Sequence, residues 1–165
     1  MQRHLGGCAK LAPKRGTSVE RIRLTIDTRY PSPYWIIVDA HPNAKLEELD
    51  DFLREHWLEC CGHLSAFRVG AQNYALQPME EYSDRSLSAR IADALPEGTV
   101  VRYEYDFGST TELRVRRCQS IVGPKSGDRI RLLAQNEAPA ITCTSCRKPA
   151  TVICASCCAE LGLDI

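Results

Sequence analysis

Four stretches of this chain alternate arginine or another polar residue with an apolar one: "ERIRLTID" from Glu20, "VVRYEYDF" from Val100, "ELRVRRC" from Glu112 and "DRIRLLA" from Asp128. Successive side chains of a strand point to opposite faces, so Ile22, Leu24 and Ile26 share one side, and Val101, Tyr103, Tyr105 and Phe107 share another. A helix would scatter the same residues around its circumference. The pattern demands strands with one apolar face and one arginine-bearing face, and an apolar face must be covered by another layer.

The sequence offers two covers. "HPNAKLEELDDFLREHWLECC" from His41 carries Leu46, Leu49, Leu53 and Trp57 at helical spacing, with Phe52 widening the stripe. Asn43 stands where an N-cap is expected, Glu47, Glu48, Asp50 and Asp51 favour the positive end of the helix dipole, and Gly62 is the expected stop. "SDRSLSARIADAL" then places Leu87, Ile91 and Leu95 at helical intervals behind Ser83 or Asp84 as cap, with "PEG" as the closing turn. "YWIIVDA" from Tyr34 reads as a second strand after the Pro-rich "YPSP", and "HLSAFRVGAQNYAL" reads as one or two short strands around Gly70. The expected order is strand, strand, helix, short strand or strands, helix and three strands. This is an α+β domain, a largely antiparallel sheet with two main helices packed on one face, followed by a small zinc knuckle.

The boundaries follow from composition. Residues 1–17 mix glycine, proline and basic residues without apolar period, as a flexible leader would. Residues 18–134 form the main domain, the polar, Pro-containing 135–142 a linker, and 143–165 a Cys-rich element. Lysine plus arginine number 21 against 21 aspartates plus glutamates, so no global field draws the chain onto nucleic acid or an anionic membrane. No stretch resembles a signal peptide or reaches the roughly 20 apolar residues of a membrane span, which points to a cytoplasmic protein without a membrane partner. Nine cysteines in a reducing compartment argue for thiolate chemistry or metal binding rather than disulfides.

Cys143, Cys146, Cys154 and Cys157 form C-x2-C-x7-C-x2-C. Each two-residue spacing lets both sulfurs turn onto one ion, and four thiolates meet the tetrahedral preference of zinc. Four protein ligands leave no open position, so the expected zinc is structural, standing in for a core that so short a segment cannot build. Iron is the alternative metal for four thiolates, and unpaired reduced cysteines are the bland one. The seven-residue separation is short for a zinc ribbon. If successive pairs go to different ions, as in cross-brace modules, further ligands would lie beyond Ile165, and Cys158 is a spare or a ligand in an altered register.

"FLREHWLECCGHLSAFRVG" followed at a distance by "LSARIADALPEGTVVRYEYDFGSTTELRV" resembles the plasmid pRiA4b open-reading-frame-three-like family, some of whose members carry a mobile-element resolvase name, TnpR. The likeness runs over about residues 19–133, and Tyr105 to Gly108 is its most recognisable part. The resemblance implies a compact α+β domain and no established activity. Where such proteins continue "YDFG" with another acidic residue and a tryptophan, this chain has Ser109, Thr110 and Thr111. Related proteins with the "LECCGHLS" segment also carry a longer Cys-rich tail.

Three other constellations invite a functional reading. Cys60, Cys61 and His63 sit at a helix end, where an imidazole could activate a thiol. Adjacent side chains on a helix diverge by about 100°, which favours core packing for the cysteines and a hydrogen-bonded helix-end role for His63. Asp106 beside Gly108 invites comparison with the metal-binding segment of protein kinases, but the phosphate loop and catalytic loop of those enzymes are missing; a turn explains both residues more simply. Arg21, Arg23, Arg102, Arg114, Arg116, Arg129 and Arg131 hold the polar phase of the strands. On neighbouring strands they would make a phosphate-binding face, with Arg114, Arg116, Arg129 and Arg131 as its candidate contacts; the alternative is a solvated face crossed by ion pairs with Glu20, Glu104 and Glu112. No nucleophile amid clustered arginines and no helix-turn-helix supports a recombinase. The sequence reads best as a non-enzymatic binding or adaptor protein with structural zinc and a protein or nucleic-acid partner. The rival is a nucleic-acid-binding or nucleic-acid-processing protein, a hydrolase or recombination accessory, using the basic face and a His63 or Asp106 site.

Overall fold

The computed structural model describes residues 18–30, 32–58 and 61–137, together with 140, 142 and 147–149. The expected leader (1–17) and the four cysteines Cys143, Cys146, Cys154 and Cys157 lie outside the described residues. In chain order the elements are β1 (Ser18–Thr28), β2 (Trp35–Ala40), α1 (Leu46–His56), β3 (Ser65–Val69), β4 (Gln72–Ala75), a 3-10 turn (Glu80–Tyr82), β5 (Arg85–Ser86), α2 (Ile91–Ala94), β6 (Val100–Tyr105), β7 (Thr111–Arg117), β8 (Ile121–Pro124) and β9 (Ile130–Gln135).

Nine strands form one sheet in the order β5-β4-β3-β6-β7-β1-β2-β9, with β8 paired to β1 off this path. All pairs are antiparallel except β4 with β5. Strand β1 is the hub. Its first residues, Ser18 to Arg21, pair with β8, its last, Leu24 to Thr28, pair with β7, and Ile22 to Asp27 pair with β2.

The apolar phase of the strands becomes the core. Ile22, Leu24, Ile26, Val38, Tyr103, Leu113 and Val115 are buried with Leu46, Leu49 and Leu53 of α1 in one cluster. Each fully buried leucine contributes about 1.5–3 kcal/mol of transfer free energy, so this stripe is what holds α1 on the sheet. The helix begins later than Asn43. Lys45 is the N-cap, and its backbone N–H donates to the Glu48 carboxylate at 2.8 Å, one half of a capping box. Leu87 and Ala89 supply backbone carbonyls to Glu47 N–H and Leu46 N–H, which satisfies the exposed donors of the first turn. The helix ends at His56, well before Gly62.

The expectation of two main helices on one face is overturned, because the second helix over 83–95 does not form. Arg85 and Ser86 instead pair with Tyr74 and Ala75, and only Ile91–Ala94 makes a single helical turn. Leu87, Ile91 and Leu95 are still buried, so the apolar residues find the core by another path. Serine explains the difference: Ser86 Oγ accepts the backbone N–H of Ser88 at 3.1 Å, a local bond that competes with helix. Among the described residues the architecture is therefore a mixed, largely antiparallel nine-stranded sheet with one helix of substance, α1. Phe107 also leaves the expected face. Asp106 adopts φ 56, which swings the chain out of β6, and Phe107 is exposed.

Candidate functional site

His63 and Asp106 meet where the connection from α1 enters β3 and where β6 ends. His63 Nδ1 lies 3.8 Å from Asp106 Oδ1, outside the roughly 3.2 Å reach of a hydrogen bond, and the imidazole is 46% exposed. Asp106 is occupied by its own turn. Its carboxylate accepts the backbone N–H of Gly108 at 3.0 Å and of Ser109 at 3.3 Å, and these bonds hold its carboxyl below the usual range. Cys61 is exposed and free, and Cys60 lies outside the described residues.

Beneath this pair runs a polar network that the sequence reading missed. Asp50 of α1 is buried and accepts the Tyr103 hydroxyl at 2.6 Å and Arg54 Nε at 2.7 Å. Arg54 also donates to the His63 carbonyl at 2.8 Å and to Ser65 Oγ at 2.9 Å, and its guanidinium covers the Tyr105 ring at 4.7 Å. Burial pushes the Tyr103 phenol far up, reinforced by the Asp50 charge, so it stays protonated as a donor. Every member has a partner within the chain. The only sequence signal was Asp50 at i−4 from Arg54 on the helix, three residues from Leu53.

The arginines divide. Arg68, Arg102 and Arg114 lie directly opposite one another on β3, β6 and β7, and Arg114 opposes Asp27 of β1. Each is paired to a carboxylate: Arg68 to Glu104 at 2.5 Å, Arg102 to Glu104 at 3.1 Å and Arg114 to Asp27 at 2.7 Å. Arg116 is exposed and makes no ion pair among the described residues. Arg129 and Arg131 sit at β9, three strands or about 14 Å from β7. Arg129 bonds Glu48 of α1 at 2.9 Å, and Arg131 bonds Asp39. The four candidate phosphate contacts are thus not brought together.

Arg21 shares Asp39 with Arg131. Its Nε donates to Asp39 Oδ1 at 2.6 Å, and its remaining nitrogens donate to the carbonyls of Pro124, Asp128 and Arg129. Both Arg21 and Asp39 side chains are fully buried. Gly123 makes room for the Arg21 stem: a Cβ there would stand 2.6 Å from Arg21 Cδ.

Accessible apolar surface is concentrated at the other end of the sheet. A groove of about 360 Å³ runs over the outer face of β3 and β4, walled by Leu64, Met79, Tyr82 and Phe107, all exposed, with Ala66 and Ala75 as floor. Neither His63 nor Asp106 lines it. Among the described residues no three His, Cys, Asp or Glu side chains are grouped as metal ligands, and no helix is long and apolar enough to cross a membrane.

No family model matches the sequence, and no curated protein matches it. The fold is similar to the crystal structure of a protein of unknown function from Methanosarcina mazei Go1. The two chains are 16% identical with a TM-score of 0.62, over 74% of this chain and 72% of that one. That likeness is one of fold.

Proposed function

We propose that this chain is a non-enzymatic, cytoplasmic binding or adaptor protein of the pRiA4b open-reading-frame-three-like, mobile-element-associated family, with a protein as its partner. The observation that supports this reading is the contrast between its charged and apolar surfaces. Of the arginines proposed as phosphate contacts, Arg114, Arg129 and Arg131 are already paired within the chain, while Leu64, Met79, Tyr82 and Phe107 stay exposed around one groove. Apolar residues gathered around a groove mark a protein contact more often than a phosphate contact. Cys143, Cys146, Cys154 and Cys157 hold a structural zinc in this reading, because four thiolates on one ion fill a tetrahedral site and leave no position for a substrate.

The natural chain should retain a protein partner from a host-cell lysate at physiological salt. Phe107→Asp combined with Met79→Asp should abolish retention without changing the circular dichroism spectrum, since both positions are exposed. Metal analysis of the same preparation should return about one zinc per chain. Binding of a short DNA duplex at low salt, weakened by Arg114→Ala with Arg116→Ala, would replace the protein partner by nucleic acid.

A further inference from the structure

The sheet has a free edge with a helix beside it. β9 pairs with β2 on one side, and among the described residues nothing pairs with its other side. Between α1 and β9 lies an open groove of about 690 Å³ that continues past His56 into a second of about 400 Å³ walled by Trp57 and Tyr34. The row of β9 facing the core runs Ile130 and Leu132, opposite Ala40 and Val38. Ile130 is buried, but Leu132 is 39% exposed, with no strand beyond it among the described residues. The stacked rings of Phe52 and His56, 3.9 Å apart, form the facing wall.

The groove is lined by four carboxylates, Glu48, Asp51, Glu55 and Asp128, against two arginines, Arg129 and Arg131, so its balance is acidic. Glu48 is taken by Arg129, and Arg131 is taken by Asp39. Asp51, Glu55 and Asp128 line the groove, are exposed, and make no ion pair among the described residues. Asp51 and Glu55 are four apart on α1, so they repel each other across one helical turn.

We propose that this groove binds an extended basic peptide segment of a partner protein by strand addition to β9. A free edge supplies backbone donors and acceptors to an incoming strand, and alternate side chains of that strand then enter the groove or face solvent. Within the row that enters the groove, apolar side chains meet Leu132 and Phe52, and a lysine or arginine two residues along the same row meets Asp51 and Glu55. A second copy of the chain is the poorer occupant, because edge-to-edge pairing would set one acidic helix against another. This inference rests on the binding reading above but uses a different surface, so each fails by its own experiment.

The probe is a fluorescent valine–lysine peptide of about ten residues, with threonine at every second position and valine and lysine by turns between them so that both enter the groove, added to the full chain and followed by anisotropy. It should bind about tenfold or more tightly than the matching valine–glutamate peptide, and backbone hydrogen exchange should slow across residues 130–135. Asp51→Asn with Glu55→Gln should weaken binding about tenfold, and Leu132→Asp should abolish it, with the unfolding midpoint of the first variant unchanged. Equal binding of the same peptide N-methylated at every backbone nitrogen, which cannot donate to a ladder, would overturn strand addition. No binding of the valine–lysine peptide would overturn it too, as would a dimer in sedimentation that Leu132→Asp dissociates. The retention experiment with Phe107→Asp and Met79→Asp is untouched by any of these results.

Discussion

Asp39 and Glu112 occupy the same face of the same sheet, and each lies between two arginines. Arg21 and Arg131 close on Asp39, while Arg29 and Arg102 approach Glu112 at 2.6 and 3.9 Å. Their surroundings differ completely. Arg21 and Asp39 are wholly buried beneath β8 and the loop to β9, whereas the Arg29 side chain is 47% exposed. In water a pair gains little, because solvent already serves both ions. In the interior each ion has lost that solvation and depends on its partner. One sheet face thus carries an internal support and a solvated surface, and only depth separates them.

The comparison breaks most visibly at Asp39. Asp39→Asn keeps the shape and removes the charge, which leaves Arg21 buried without a counter-ion; urea unfolding should show a loss of about 3–5 kcal/mol. A loss under about 1 kcal/mol would mean that the buried and exposed clusters are energetically alike. Gly123→Ala crowds the same cluster without removing a charge, since a Cβ there would also stand 3.1 Å from Arg131 Nη2. Its methyl would press on the Arg21 stem, which has no room to retreat, and a loss of about 1–3 kcal/mol is expected from the unfolding midpoint. Glu112→Gln should cost least, under about 1 kcal/mol, and the difference from the natural chain should shrink in high salt.

Reading these features from sequence had clear bounds. The alternation in "ERIRLTID" and "ELRVRRC" marked the strands and their buried phase, because side-chain direction in a strand is a local property. The stripe Leu46, Leu49, Leu53 marked α1 for the same reason. The second helix failed where its residues carried a warning: Ser83, Ser86 and Ser88 offer the backbone local bonds, and a four-residue turn is what survives. Strand β8, four residues between a polar stretch and a glycine-containing loop, was missed, although it roofs Arg21. Asp106 before Phe107 and Gly108 signalled a turn but not that the turn would expose Phe107.

The candidate sites divide along the same line. His63 and Asp106 were legible as residues, yet their 3.8 Å separation depends on how β3 and β6 pair. Arg68, Arg102 and Arg114 form a row because of register, and Arg129 and Arg131 are distant because β1 and β2 intervene. Nothing in "DRIRLLA" indicates that it becomes an edge.

By itself the sequence determined the alternating strands β1, β6, β7 and β9, which phase of each is apolar, and helix α1, but not β5, β8 or the loss of the second helix. Those properties follow from neighbours a few positions apart. Strand order, register and depth belong to the tertiary structure, because they join residues such as Arg21 and Asp128 that are far apart in the chain. Long-range pairing decided that Asp39 is a buried counter-ion, that Glu112 is a surface one, and that β9 has no second neighbour among the described residues.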